Sequence, residues 1–297
     1  MTRQQTIDSL IGELDKAKDF LEKETEILKD IFDDNYFNKV KGQLEALVED
    51  RAALIHPVYN LIIQRDVGHN FKKIGRMERY LVSMWNQISI KKRNHIKAQL
   101  KSFDQAQSIT RVYEINVLGY LKEIFRDNNV ILYPKTKTDS ELEAKVKLVE
   151  REINIEVTVL CDGKFHQNKL TELLRNSSDA FFSVGTGDIQ KDTNRVLSRI
   201  SEKSEQFEPA KPNVLMFFDR TCWSVYPVRW PIGDDSVESI KFLKNIGALM
   251  HFDGDKLLDV ESNICDADCR LSVKEIGALK DIFDSKFETL TYSASES

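Results

Sequence analysis

Residues 139–158, DSELEAKVKLVEREINIEVT, decide the fold of the second half of the chain, because apolar and polar residues alternate through this stretch. Alternation with a period of two is typical of a β-strand that buries one face. We therefore predict two strands that form a hairpin. The apolar face consists of Leu142, Ala144, Val146 and Leu148 in the first strand and of Ile153, Ile155, Val157 and Val159 in the second.

The opposite face of the predicted hairpin carries several carboxylates. Its residues are Asp139, Glu141 and Glu143 in the first strand and Asn154, Glu156 and Thr158 in the second. Carboxylates that lie close together repel each other unless a positive charge compensates them. A divalent cation with oxygen ligands, such as Mg²⁺, supplies that charge and can also bind substrate phosphates. The alternative interpretation is a solvated sheet face with alternating charges.

The segments on either side of the hairpin predict further helices and strands. Helices are expected at 109–127, 167–182, 189–207, 236–246 and 272–287, and strands at 130–133, 213–218, 223–230 and 247–252. The strand at 223–230 would lie at an edge, because Pro227 cannot donate to a neighbouring strand. This order of elements favours an α/β fold around a mixed sheet.

The same order of residues resembles the core of the PD-(D/E)XK, or restriction-endonuclease-like, nuclease superfamily. That core has a glutamate on a helix, an aspartate on one strand, Glu-X-Lys on the next strand, and then a basic helix. The matching residues are Glu114 in the first helix, Asp139 after Pro134 and Lys135, Ile155-Glu156-Val157-Thr158 in the second strand, and Arg195, Arg199 and Lys203 in the following helix. The resemblance covers roughly residues 106–232.

The resemblance implies a restriction-endonuclease-like mixed-sheet core flanked by helices, within a domain at 106–297 that ends in closing helices. It implies a Mg²⁺ or Mn²⁺ cofactor, with Asp139 and Glu156 as metal ligands and Glu141 as an auxiliary ligand. Glu114 would have a catalytic role beside them. One glutamate on a helix is, however, usually a surface residue.

The chain departs from the superfamily pattern at Thr158, where lysine usually positions or activates the attacking water. We predict that Lys203 replaces that lysine, because Arg195, Arg199 and Lys203 recur every four residues and share one helical face. Lys145 and Lys147, on the hairpin, are the alternatives. The other interpretation of the helix is an ordinary solvent-facing stripe of charge.

The first 105 residues predict a separate helical region of bundle or coiled-coil type. Apolar residues at spacings of three and four indicate helices at 5–33, 35–65 and 71–89. A further helical stretch is expected after residue 90, where neither glycine nor proline occurs before Gly119. A plain bundle, which could form a homodimer or bind a partner protein, is the simplest interpretation of this region.

Charge is distributed unevenly along this helical region. Residues 1–50 contain 7 Lys/Arg against 13 Asp/Glu, whereas residues 64–101 contain 10 against 2. Local basic charge binds phosphates, and exposed aromatic rings can stack on unpaired bases. We predict nucleic-acid contacts at Lys91, Lys92 and Arg93, and at Arg195 and Arg199 in the second domain. Alternatively, the basic side chains form a solvated face or pair with the acidic residues at 1–50.

The remaining features of the sequence narrow the functional class. The sequence has no apolar segment long enough to span a membrane and no apolar signal region. Its four scattered cysteines suit free thiols, and we expect a cytoplasmic protein. We therefore expect a metal-dependent nuclease that hydrolyses phosphodiester bonds, with DNA favoured over RNA. A defence role against foreign DNA is compatible with the resemblance. The alternative is a catalytically weakened, nuclease-like binding or scaffold module that acts through its N-terminal helices.

Overall fold

The structure is a computed structural model of the 297-residue chain. It describes residues 3–50, 71–125, 129–136, 141–161, 189–208, 211–220, 245–253, 256–262, 269–284 and 287. These residues form two compact units, the first ending at Ile115 and the second beginning at Asn116. The division lies inside a helix, ten residues after the predicted domain boundary at residue 105.

The first unit is made of helices. They are α1 (Arg3–Glu24), α2 (Leu28–Ile31), α3 (Asp34–Ala46), α4 (Lys72–Trp85), α5 (Ile90–Leu100) and the first part of α6 (Gln105–Ile124). Side-chain caps begin three of them: the Asp33 carboxylate accepts from Tyr36 N–H, the Ser89 hydroxyl accepts from Lys92 N–H, and the Asp104 carboxylate accepts from Ala106 and Gln107 N–H. Such caps satisfy N–H groups that have no partner within the helix.

The predicted helix at 5–33 is wrong at its C-terminal end, because α1 stops at Glu24 and α2 starts at Leu28. The break is stabilised by Glu78 of α4, whose buried carboxylate accepts hydrogen bonds from the backbone N–H groups of Glu26, Ile27 and Leu28 at 2.6–2.9 Å. The apolar periodicity continues across the break, so sequence pattern alone does not reveal it.

The predicted helix at 35–65 is also too long, since α3 ends at Ala46 and a turn follows. Residues 51–70, including Pro57, lie outside the described residues. The third predicted helix, at 71–89, is confirmed as α4, and the fourth helical stretch contains α5 and α6.

The second unit contains a six-stranded mixed sheet in which every strand lies next to its sequence neighbour among the described strands. The strands are β1 (Val130–Leu132), β2 (Ala144–Leu148), β3 (Arg151–Cys161), β4 (Asn213–Arg220), β5 (Ala248–Asp253) and β6 (Lys256–Ser262). Pairing is antiparallel for β1–β2, β2–β3 and β5–β6, and parallel for β3–β4 and β4–β5. The mixed α/β class and the predicted hairpin, now β2–β3, are confirmed.

Helices cover both faces of this sheet. Helix α7 (Ile189–Ser204) packs on one face, where Ile200 joins Leu215, Phe217 and Leu249 in a hydrophobic cluster. On the other face lie α8 (Val273–Asp284) and the second part of α6, and the Tyr120 hydroxyl donates to the Ile282 carbonyl at 2.7 Å. Strand β3 is consequently buried on both faces from residue 153 onward.

Helix α8 begins with a reciprocal cap. The Glu275 N–H donates to the Ser272 hydroxyl, and the Glu275 carboxylate accepts from the Ser272 N–H at 2.6 Å. The same carboxylate accepts two hydrogen bonds from Arg151 at the start of β3, at 2.8 and 2.6 Å. These bonds fix α8 against the β2–β3 hairpin.

Three further sequence predictions either differ from the structure or fall on residues that it does not describe. Strand β6 was not predicted, because Val260 is its only fully buried residue and its apolar pattern is weak. Cys161 is buried and forms no disulfide, whereas the expectation of free thiols is wrong for Cys269, which is disulfide-bonded; Cys222 and Cys265 lie outside the described residues. The predicted helix at 167–182, the predicted strand at 223–230 and most of the predicted helix at 236–246 lie outside the described residues.

Within the described ranges, none of the helices combines the length and the hydropathy that a membrane crossing requires.

Candidate active site

The β2–β3 hairpin brings two glutamates together on the sheet face that α7 covers. Ala144 pairs with Ile155, so Glu143 and Glu156 lie side by side. The Glu143 N–H approaches Glu156 Oε2 at 3.4 Å, and the Val157 N–H donates to Glu143 Oε2 at 3.1 Å. Backbone hydrogen bonds therefore orient both carboxylates.

Helix α7 supplies the positive charge of this cluster. The Lys203 ammonium donates to Glu156 Oε1 in a close ion pair and lies 3.7 Å from Glu143 Oε1. It also lies 3.4 Å from Gln206 Oε1. Lys203, the predicted replacement for the lysine of the Glu-X-Lys pattern, therefore contacts Glu156.

A set of asparagines holds the end of α7 that carries Lys203. Asn213 at the start of β4 accepts from the Asn154 amide at 2.8 Å and donates to the Asn245 carbonyl at 2.7 Å. The Asn245 amide donates to the carbonyl of Ser204, the residue after Lys203, at 3.2 Å. These bonds connect the last turn of α7 to the strands that carry the carboxylates.

Burial sets the electrostatics of the cluster. The Glu156 side chain is 0% exposed, while those of Glu143 and Lys203 are 13% and 19% exposed. Burial, followed by the charge and the hydrogen bond of Glu156, raises the pKa of Glu143 well above its usual value, although Lys203 and the Val157 N–H act in the opposite direction. One ammonium thus faces two carboxylates, and the site favours a further positive charge, as a proton or as a cation.

The donor set fits a divalent cation of the Mg²⁺ type, which commonly uses one or two protein carboxylates and completes its shell with water and phosphate oxygens. Glu143 and Glu156 would hold it. No group of three or more His, Cys, Asp or Glu side chains suited to a metal occurs within the described residues. Asp139, the predicted first ligand, lies outside them.

The other predicted catalytic residues have different surroundings. Glu141 is exposed, and its backbone pairs with Lys135, so the structure brings Glu143 rather than Glu141 to Glu156. Thr158 is buried on β3, two residues beyond Glu156 and beside Phe217 of the neighbouring strand. Glu114 belongs to the first unit, where it is buried and ion-paired with Arg111.

The predicted stripe of Arg195, Arg199 and Lys203 does not share one environment. Arg199 is exposed and pairs with Glu202 at 2.9 Å, whereas Lys203 points into the site because it follows Ile200 by three residues on the buried side of α7. The Arg195 side chain lies outside the description. The interpretation as an ordinary solvent-facing stripe of charge therefore holds for Arg199 but is wrong for Lys203.

The predicted nucleic-acid contacts Lys91, Lys92 and Arg93 lie in the first turn of α5. Lys91 is exposed, and Lys92 and Arg93 are partly exposed. Lys101, in the same basic segment, instead pairs with an acidic N-terminal residue, because its ammonium lies 3.1 Å from the Asp33 carboxylate.

Glu143 is predicted on the polar face of the hairpin but is not among the predicted site residues. The sequence pattern did not give the register, that is, which residue of β2 pairs with which residue of β3. A pairing of Ala144 with Ile155, which a short turn between Leu148 and Arg151 imposes, puts Glu143 next to Glu156. The solvated-face interpretation of these carboxylates is wrong, since both are largely buried.

Comparisons with protein-family models, with curated proteins and with solved structures found no match to this chain.

Proposed function

We propose that the chain is a metal-dependent nuclease with a restriction-endonuclease-like core, which hydrolyses phosphodiester bonds at Glu143, Glu156 and Lys203. The observation that carries the proposal is the buried pair of carboxylates from adjacent strands, with one lysine ammonium in contact with both. A purely structural ion pair needs one carboxylate for one lysine. The second carboxylate raises the free energy of the folded chain unless it is protonated or binds a cation.

The arrangement of elements supports the proposal. Among the described elements, a helix, a strand, a strand pair, a helix and a further strand follow one another as α6, β1, β2–β3, α7 and β4. The carboxylates lie on the β2–β3 hairpin and the lysine on the next described helix. This is the order that the resemblance to the PD-(D/E)XK superfamily implies, with Lys203 in the role usually filled at the position of Thr158.

Each residue has a chemical role in the proposed reaction. When bound, the divalent cation supplies neutralising charge and acidifies a water molecule. Glu143 and Glu156 hold the cation, and the Lys203 ammonium stabilises the negative charge that develops on the phosphate oxygens. Attack by water forms one phosphorus–oxygen bond as the bond to the leaving oxygen breaks. Glu143 and Lys203 are the partly exposed members of the cluster, so substrate would approach from their side.

The experiment is a cleavage assay with the purified chain, using single- and double-stranded DNA and RNA with Mg²⁺, Mn²⁺ or chelator. We expect cleavage that requires the cation. Glu156→Gln and Glu143→Gln should each lower the rate at least about a hundredfold, because they remove a cation ligand while keeping side-chain size. Lys203→Met should lower kcat more than it raises KM, since its charge acts in the transition state.

Glu141→Gln is the matched control, because it removes an exposed carboxylate two residues from Glu143 and should leave the rate unchanged. Circular dichroism should show that every variant is folded. Wild-type cleavage that persists in both glutamine variants would contradict the assigned site. Absence of cleavage of every substrate by a folded wild-type chain would favour the nuclease-derived scaffold instead.

A further inference from the structure

Helices α4 and α5 of the first unit present exposed charge of a single sign. Between residues 71 and 101 the sequence has nine Lys/Arg and one acidic residue, Glu78. Glu78 is buried, and its carboxylate accepts the N–H groups of Glu26, Ile27 and Leu28. The exposed surface of these two helices therefore carries cations and lacks carboxylates of its own.

Two of these cations are held beside an aromatic ring. The Arg93 guanidinium and the Lys97 ammonium lie 5.8 and 5.9 Å from the centre of the Trp85 ring. Arg93 also donates through Nε to the Ile88 carbonyl at 3.2 Å. Because Arg93 and Lys97 are one turn apart on α5, they form a pair of positive charges about 6 Å apart along the helix axis. The ring and the carbonyl limit the freedom that these side chains would lose on binding an anion.

Apolar surface adjoins the charged pair. Trp85 is partly exposed, Val82 lies one turn before it on α4 and is 47% exposed, and Ile90 at the start of α5 is 74% exposed. We call this surface, with residues Val82, Trp85, Ile90, Lys91, Arg93 and Lys97, the α4–α5 corner. Cations next to exposed aromatic and aliphatic groups match a ligand that has phosphates and flat apolar rings.

We infer that the α4–α5 corner binds a single-stranded nucleic acid, with phosphates at Lys91, Arg93 and Lys97 and an unpaired base against Trp85. The bases of a duplex are stacked on each other and could not reach the ring. A bilayer fits less well, because the other large apolar residues of α5, Ile96 and Leu100, are fully buried within the unit. The inference does not depend on the proposed hydrolase, whose residues lie in the second unit.

The experiment is fluorescence anisotropy of a labelled thymidine homopolymer, titrated with the full chain at several salt concentrations in chelator. We expect Trp85→Ala to weaken binding about tenfold, because it removes one stacked base, and Trp85→Phe to retain most of the affinity. Replacing Lys91, Arg93 and Lys97 together by Gln should lower the slope of log K against log salt by about 2.

The matched control replaces Lys16, Lys23 and Lys29 together by Gln, which changes the net charge equally at exposed positions of α1 and α2. Its affinity and salt slope should equal those of wild type. Equal affinity for single strand and duplex, or unchanged binding in Trp85→Ala, would overturn the inference. So would cosedimentation with phosphatidylserine vesicles that requires the corner while the oligonucleotide stays unbound.

The titration in chelator separates this inference from the proposed function, because it requires no hydrolysis. Homopolymer binding that the corner variants lose would support the inference even if the chain cleaved none of the substrates. Loss of homopolymer binding in Glu156→Gln, with the corner variants unaffected, would move the binding site to the second unit and contradict the inference.

Discussion

At the scale of single residues, Glu143 decides how the site responds to pH. Its raised pKa means that the folded chain holds a proton there that the unfolded chain has already lost. Stability therefore falls as pH rises from the usual glutamate value of about 4.3 to the raised value, and stays low above it. Urea unfolding measured across this pH range should show that the stability of Glu143→Gln does not fall as pH rises. The wild-type-minus-variant difference isolates this carboxyl from others that titrate in the same range.

Cation binding should restore the stability that is lost when Glu143 is deprotonated, since an ion held by Glu143 and Glu156 would take the place of the proton. Isothermal titration with Mn²⁺ in buffers of different ionisation enthalpy should show proton release below the raised pKa. A pH-independent stability difference between wild type and Glu143→Gln would contradict the assignment of the titrating group.

His251 is a second buried residue with a marked pH response. Neither ring nitrogen has a hydrogen-bond partner within the described residues, and the ring contacts Phe217. Burial lowers the pKa of His251 to about 4, although Asp253 and Asp259 act in the opposite direction. The folded chain thus binds fewer protons than the unfolded chain between about pH 6.5 and 4, and stability falls as pH decreases through that window.

His251→Phe should remove this acid sensitivity and keep or raise stability at pH 7, because an apolar ring of similar shape leaves no polar atom unsatisfied. Thermal unfolding at pH 7 and pH 5 tests both statements, with His95→Phe at an exposed position as the control. A loss of more than about 2 kcal/mol at pH 7 would indicate that His251 has a polar partner beyond the described residues.

At the scale of elements, the turn between β2 and β3 determines which carboxylates meet. Val149 adopts a φ of 56° there, in the left-handed region that disfavours β-branched residues, and its side chain is exposed. Val149→Asn should stabilise the chain by about 1 kcal/mol, because asparagine tolerates this conformation and no packing is lost. Urea unfolding measures the gain. Val149→Ala, which keeps a Cβ in the same conformation, should gain less.

The ion pair of Arg151 and Glu275 connects the hairpin to α8. Hydrogen bonds from Arg151, supported by those from Ser272, lower the pKa of Glu275 to about 2, against the effect of burial. This contribution to stability is present above the unfolded pKa, near 4.3, and is lost as pH falls towards 2. Glu275→Gln should lower the free energy of unfolding at pH 7 by about 2 kcal/mol, since the half-exposed Arg151 is partly screened by solvent. At pH 2 wild type and variant should be similarly stable.

At the scale of the whole molecule, a cation that binds the folded chain alone must raise its stability. Mn²⁺ at a hundredfold excess over its Kd should add about 2.7 kcal/mol to the free energy of unfolding. Differential scanning calorimetry should show that the unfolding transition of the second unit shifts to a higher temperature. The shift should vanish in Glu156→Gln and persist in Glu141→Gln. An equal shift in both variants would indicate a cation site elsewhere.

The sequence by itself determined the mixed α/β class, the β2–β3 hairpin and the helical N-terminal region. These follow from periodicity, because a residue's position along a strand or helix decides which face it occupies. It also named Glu156, through the resemblance to the PD-(D/E)XK superfamily, and Lys203, as the replacement for the lysine that is missing at Thr158. Where a pattern is weak, as at β6, or continues across a break, as at residues 25–27, sequence reasoning failed.

Only the tertiary structure decided which polar groups meet. Glu143 rather than Glu141 contacts Glu156 because the hairpin register is set by a two-residue turn and by the pairing of Ala144 with Ile155. Lys203 faces inward and Arg199 outward because Ile200 fixes the rotation of α7 on the sheet. Register depends on the geometry of the turn, and helix rotation depends on contacts between residues far apart in the chain; periodicity alone fixes neither.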